Sequence, residues 1–173
     1  WAMVYVKGRG LDHIQSQNDL MQLSPEQATQ LRIGAWDRGP GTTLIHQAGL
    51  MDQAIPFQSM SGDARENPGK IIERDLIDDT INLTFVWGPI AGYYQKTITG
   101  HELVVIPLQN QPGVRFDFQI AMAVRFDDKA WKATVNQLIK DNQAENDAIL
   151  TDYDVPLREL IIRETHNEDD END

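Results

Sequence analysis

The sequence predicts an α/β fold with a parallel-rich sheet and helices on both faces. Two observations carry this reading. Between residues 31 and 108, short β-branched or aromatic runs alternate with runs of helical spacing. The run Leu31–Trp36 also passes through the Gly/Pro turn Asp37-Arg38-Gly39-Pro40-Gly41 into Thr42-Thr43-Leu44-Ile45, a strand, turn and helix start in succession. The 173 residues are 40% hydrophobic, enough for one core and suited to one domain or one and a half.

The elements follow in order. Trp1–Val6 reads as mid-strand, closed by Lys7–Gly10, so a further N-terminal part is expected before it. Leu11–Gln30 is polar and Gln-rich, with a helix start at Ser24-Pro25-Glu26. Then come a strand at Leu31–Trp36, a helix at Thr42–Ala48 with a hydroxyl N-cap, and a strand at Ala54–Met60. A helix is expected over Pro68–Leu76, with Ile71, Ile72 and Leu76 on one side. Ile81–Trp87 has the strongest strand composition, bounded by Asp78-Asp79 and Gly88-Pro89. A short helix at Pro89–Lys96 and a strand at His101–Leu108 complete the alternation, which implies right-handed crossovers. Beyond Pro112-Gly113, Phe118–Phe126 reads as a long strand. Asp127-Asp128 then caps a helix from Lys129 to about Leu150, with Trp131, Val135, Leu138 and Ile139 on one face. This strand and helix have no sheet of their own, so they are expected to pack on protein outside the sequence, a first-lobe N-terminal segment or another chain. Pro156 opens a final short helix, and His166–Asp173 is an acidic tail.

Charge and motifs exclude several functions. A net charge of −12 argues against nucleic acid and anionic membrane surfaces as partners. No apolar run has membrane-spanning length, and there is no Cys for a disulfide or thiolate site. His13, His46, His101 and His166 show no HxxxH or HExxH spacing. No GxSxG elbow, GxxxxGK[ST] loop or strand-linked GxGxxG occurs. Asp78-Asp79 and Glu168-Asp169-Asp170-Glu171 suit a solvated surface better than a cation site. No catalytic residue, metal site or cofactor is therefore expected, and the chain is not expected to be an enzyme.

The candidate site lies at strand ends. In a parallel sheet, the loops after Leu31–Trp36, Ala54–Met60 and Ile81–Trp87 converge on one edge. Trp36, Trp87 and Tyr93 would form flat apolar walls there. Asp37, Arg38, Asp63 and Arg65 would be polar anchors, with Ser61 beside them. Thr42 and Thr43, at a helix N-terminus, would favour an anion or ligand oxygen. A competing reading places the tryptophans in the core, pairs the charges locally and leaves Gly39-Pro40-Gly41-Thr42-Thr43 as a capped turn.

These segments also carry a family resemblance. AMVYVKGRGLD, then a spacer, then LRIGAWDRGPGTT resembles the extracytoplasmic solute-binding proteins of bacterial ABC importers. FQIAMAVRFDDKAWKATVNQLI resembles their return to the first lobe. GLMDQA, MSGDARENPG and VWGPIAGYY are long and specific, and resemble the quinoprotein-dehydrogenase-associated subgroup, the MxaJ/XoxJ family of methanol dehydrogenase operons. PGVRFDFQIAMAVRF and NQAENDAIL also fit, so the likeness covers nearly all but the Gln-rich spacer and the tail. It implies a type II periplasmic binding protein-like fold. Residues 1–10 would be a crossover strand, 11–108 the second lobe, 109–165 the C-terminal part of a first lobe whose N-terminal part is missing, and 166–173 a tail. It further implies a periplasmic, non-enzymatic accessory of a pyrroloquinoline-quinone (PQQ)-dependent methanol dehydrogenase, active in its assembly or activation. Amino-acid-binding relatives hold a ligand carboxylate at the turn matched by Thr42 and Thr43. The alternative is thus the solute-binding component of an importer with a small, anionic ligand.

Overall fold

Strand β1, Ala2–Val6, sits inside a five-stranded sheet with all five of its residues buried. The structure is a computed structural model and describes residues 1–59, 62–63 and 65–157. The other strands are β2 (Ile33–Trp36), β3 (Ala54–Phe57), β4 (Leu83–Val86) and β5 (Leu103–Pro107). Their order is β3-β2-β4-β1-β5. Strand β2 pairs in parallel with β3 and β4, as expected for Leu31–Trp36 beside Ile81–Trp87. β1 is antiparallel to both β4 and β5, so β5 runs in the same direction as β2, β3 and β4. Both edge strands carry a proline, Pro56 in β3 and Pro107 in β5, and each is exposed.

Two cores lie on the two faces, and the period-two alternation of β1 divides between them. Met3 and Tyr5 enter one core with Ile33, Leu83, Phe85 and the helix residues Leu44 and Ile45. Ala2, Val4 and Val6 enter the other with Ile71, Ile72, Leu76 and Ala91. Helices therefore cover both faces. Helix α3 spans Pro40–Gln47, and α4 spans Gly88–Thr97. The polar stretch after β1 holds two short helices, α1 (Gln17–Leu20) and α2 (Pro25–Ala28). The latter is capped by the expected Ser24, whose hydroxyl accepts from Gln27 N–H.

Four local expectations need correction. The N-cap of α3 is Gly39, not a threonine: Pro40 takes the first helical position, for which its fixed φ is suited, and Thr42 and Thr43 fall inside the first turn. The expected helix over Pro68–Leu76 is a π-helical stretch over Ile71–Leu76, whose three expected apolar residues are buried. Phe118–Phe126 is irregular chain that ends in a turn at Phe126, and no strand: a strand exists only with a ladder partner, and none of the described residues supplies one. The long helix divides into α5 (Lys129–Asp141) and α6 (Gln143–Asp152) at Asn142, whose side chain turns back to donate to Leu138 O at 2.8 Å. Asp128 caps α5 as expected, accepting from Trp131 N–H at 3.0 Å. The expected helix after Pro156 and the acidic tail lie outside the described residues, apart from Pro156 and Leu157, which are not helical.

The segment beyond residue 117 leaves large apolar side chains in solvent. Ile120 is 82% and Phe126 96% exposed, and Trp131 and Leu138 are also exposed. Residues 1–108 therefore do not bury the apolar face of this segment, although Val135 is buried.

Helix α3 approaches β4 so closely that a Cβ at Gly41 would lie 2.5 Å from Cβ of Phe85. Gly41→Ala is expected to cost about 1–3 kcal/mol through this overlap, despite the better helix propensity of alanine. A lower urea midpoint at unchanged slope would show it.

Candidate functional site

The parallel strands β2, β3 and β4 deliver their following loops to one edge of the sheet. Because β1 is antiparallel, its start arrives at that edge too: Ala2 lies opposite Val86 and Pro107. Trp1 and Leu108 are joined there by the Leu108 N–H to Trp1 O bond of 2.9 Å, and the Trp1 nitrogen donates to Phe116 O at 2.6 Å. The chain therefore crosses this edge where the three loops stand.

The result is a row of aromatic rings. Trp87 meets Trp1 edge-on, with centroids 6.4 Å apart, and also meets Phe118 at 5.7 Å. The Arg115 guanidinium lies 5.9 Å from the Phe118 ring centroid, a cation–π distance. Trp36 packs on Phe57 at 5.9 Å, closing the end of β2 and β3. Trp36 and Trp87 are each half-buried, so neither is a plain core residue. Trp1 and Phe118 were not among the expected site residues. Their place depends on the reversed direction of β1, which has no local sequence signal, and on where the turn marked by Pro112-Gly113 sends the chain, which is not local either.

The polar residues separate into two groups. Asp37 and Arg38 are exposed at the β2–α3 turn, and Arg38 holds a left-handed backbone with φ of 60°. Asp37 accepts the Ser59 N–H at 2.6 Å, tying the loop after β3 to the turn after β2. The Ser59 hydroxyl and backbone N–H hold the Asp37 carboxyl below the usual aspartate range. Asp63 and Arg65 instead pair with each other, with Nη2 2.8 Å from Oδ2, and line an open dent with Glu66, Lys70, Glu73 and Arg74, away from the aromatic row. Ser61 lies outside the described residues. Tyr93 is exposed on α4, and its ring meets Tyr94 at 5.2 Å rather than Trp87.

The helix start at Thr42 is closed to a ligand from this side. The Thr42 hydroxyl donates back to Trp36 O at 2.7 Å. The space between Trp1, Trp36, Gly41, Thr42 and Phe85 has no room for a water molecule. Thr43 is exposed on the outside of the same turn. Among the described residues, no three His, Asp or Glu side chains gather at metal-binding distance, and no helix is long and apolar enough to cross a membrane.

The Asp37–Ser59 tie has a pH signature. The folded carboxyl has the lower pKa, so its stabilisation is complete above the unfolded value and is lost as pH falls through the depressed folded one. Asp37→Asn should therefore lose less stability than the parent between about pH 5 and about pH 2, when urea midpoints of the two are compared.

No family model and no curated protein matches the chain. Among solved structures it is similar to the periplasmic binding protein XoxJ from Methylobacterium extorquens AM1, with 22% identity and a TM-score of 0.73. That match covers 92% of this chain and 68% of XoxJ. It is also similar to an ancestral cationic amino acid solute binding protein, with 16% identity and a TM-score of 0.56 over 88% of this chain and 57% of the other. Both likenesses concern the fold: the chain has the α/β architecture of the periplasmic binding proteins.

Proposed function

We propose that this chain is part of a periplasmic, non-enzymatic interaction protein that uses a binding-protein scaffold to help assemble or activate a PQQ-dependent methanol dehydrogenase. One observation carries the reading. The half-buried rings of Trp1 and Trp87 and the exposed ring of Phe118 stand in a row at the loop edge, with the Arg115 guanidinium against Phe118. Aromatic residues with an arginine at hand are what protein interfaces use as anchors. The inward-turned Thr42 hydroxyl and the closed space behind it support a protein surface over a solute as the ligand. The dehydrogenase enters through the resemblance of GLMDQA, MSGDARENPG and VWGPIAGYY, and the fold likeness to XoxJ supports it.

The same reading proposes a domain layout. Residues 1–10 cross into a second lobe formed by 11–108, and 109–165 return to a first lobe that covers the apolar face of 118–150. Trp36, Asp37, Arg38, Thr42, Thr43 and Trp87 lie on the recognition side, where Arg38 and Asp37 set orientation by charge. Asp63 and Arg65, paired with each other, and Tyr93, packed on Tyr94, lie apart from it.

Calorimetry with the full-length protein and purified PQQ-dependent methanol dehydrogenase tests the proposal. Trp87→Ala should weaken binding by more than about 1 kcal/mol if Trp87 is an anchor. A loss of about 3–5 kcal/mol of folding stability with unchanged binding of the folded variant would remove Trp87 from the surface. Arg38→Gly, which suits the left-handed backbone, should keep stability within about 1 kcal/mol and still weaken the complex. Binding of an amino acid or small anion, with none of the dehydrogenase, would instead favour the importer component.

A further inference from the structure

Helix α4 carries Gly88, Gly92 and Lys96 at successive turns, and both glycines are buried. The end of α6 and the chain just beyond it cover them. A Cβ at Gly92 would fall on the backbone of Tyr153 and Asp154, and one at Gly88 would lie 3.0 Å from Cγ of Pro156. Asp154 reaches this position only with a φ of 50°, a left-handed conformation unusual for a residue with a side chain. One turn along α4, Lys96 donates to both the carbonyl and the carboxylate of Asp152, with Nζ 2.8 Å from Oδ1. Its ammonium also stands 6.0 Å from the Tyr153 ring centroid. Three turns of one helix thus grip residues 152–156 by absence of side chain, by charge and by ring contact.

We propose that Asp152–Pro156 is a latch that pins the end of α6 to α4, so that α5 and α6 move with the sheet as one body. The helix pair is tethered by its chain connection beside Trp1 and Trp87, where the Phe116 carbonyl is held. A body held at one point swings, whereas one held at two points, before α5 and after α6, keeps its angle until a tether lets go. Opening is then a discrete release of the latch rather than a graded hinge motion. The latch stands whether the partner is a dehydrogenase or a solute.

The chain has no cysteine, so Asp52→Cys with Asn136→Cys supplies a unique pair of spin-label positions, one beside β3 and one on α5. Electron–electron resonance on the full chain should give one narrow distance distribution. Gly92→Ala should broaden it, because the added carbon expels the latch while alanine favours the helix itself. Exchange of the Tyr153, Asp154 and Val155 amides, which bond to Ile149, Thr151 and Leu150, should rise by at least about tenfold while β2 and β4 keep their protection. A broad distribution in the parent, or a narrow one with unchanged exchange in folded Gly92→Ala, overturns the proposal. Should Gly92→Ala fail to fold, Lys96→Met carries the test: faster exchange at 153–155 with the strands unchanged supports the latch, and no change overturns it.

Discussion

The reversed direction of β1 is the constraint on which the rest of the structure depends. A strand run antiparallel between β4 and β5 places its first residue where its neighbours end. That reversal brings the arriving chain at Trp1 to the edge where the co-directional strands deliver the three loops and the departing chain at Leu108. It also gives β1 both cores to fill, Met3 and Tyr5 on one side and Ala2, Val4 and Val6 on the other. Met3, Val4 and Val6 are each worth roughly 1.5–3 kcal/mol when buried, so β1 holds the two faces together as well as setting the edge.

The same constraint explains which parts were legible in the sequence. The strands β2, β3, β4 and β5 announce themselves through β-branched and aromatic runs bounded by Gly, Pro or Asp, and these signals are local. Pairing direction is not local, so the partners of Trp1–Val6 had no mark in the residues themselves. Thr42 and Thr43 looked like capping residues because hydroxyls cap helices; Pro40 overruled them by fitting the first helical position. The break at Asn142 carries no Gly or Pro: its side-chain amide bonds to Leu138 O where the first helix ends, in a polar stretch between Leu138-Ile139 and Ile149-Leu150.

The site divides in a similar way. Convergence of the loops follows from parallel strands and could be read in advance. Which rings meet could not, because Trp1 and Phe118 arrive from segments far apart in the chain. The helical phase of α4 sets Tyr93 outward against Tyr94, while Trp87, just before the helix, stays in the row. Asp63 and Arg65 satisfy each other across two residues, the local charge pairing that the competing reading described.

The prolines at the two sheet edges have a consequence for how the molecule behaves at high concentration. Pro56 and Pro107 each remove a donor from an exposed edge, so neither side of the sheet offers a continuous template for stacking with a second molecule. No such protection exists at Phe118–Phe126, nine residues with a single charge, no proline and no glycine. That composition favours cross-β assembly when left uncovered. The colloidal fate of the chain is therefore decided by whatever shields this one stretch, and not by the stability of the sheet beside it.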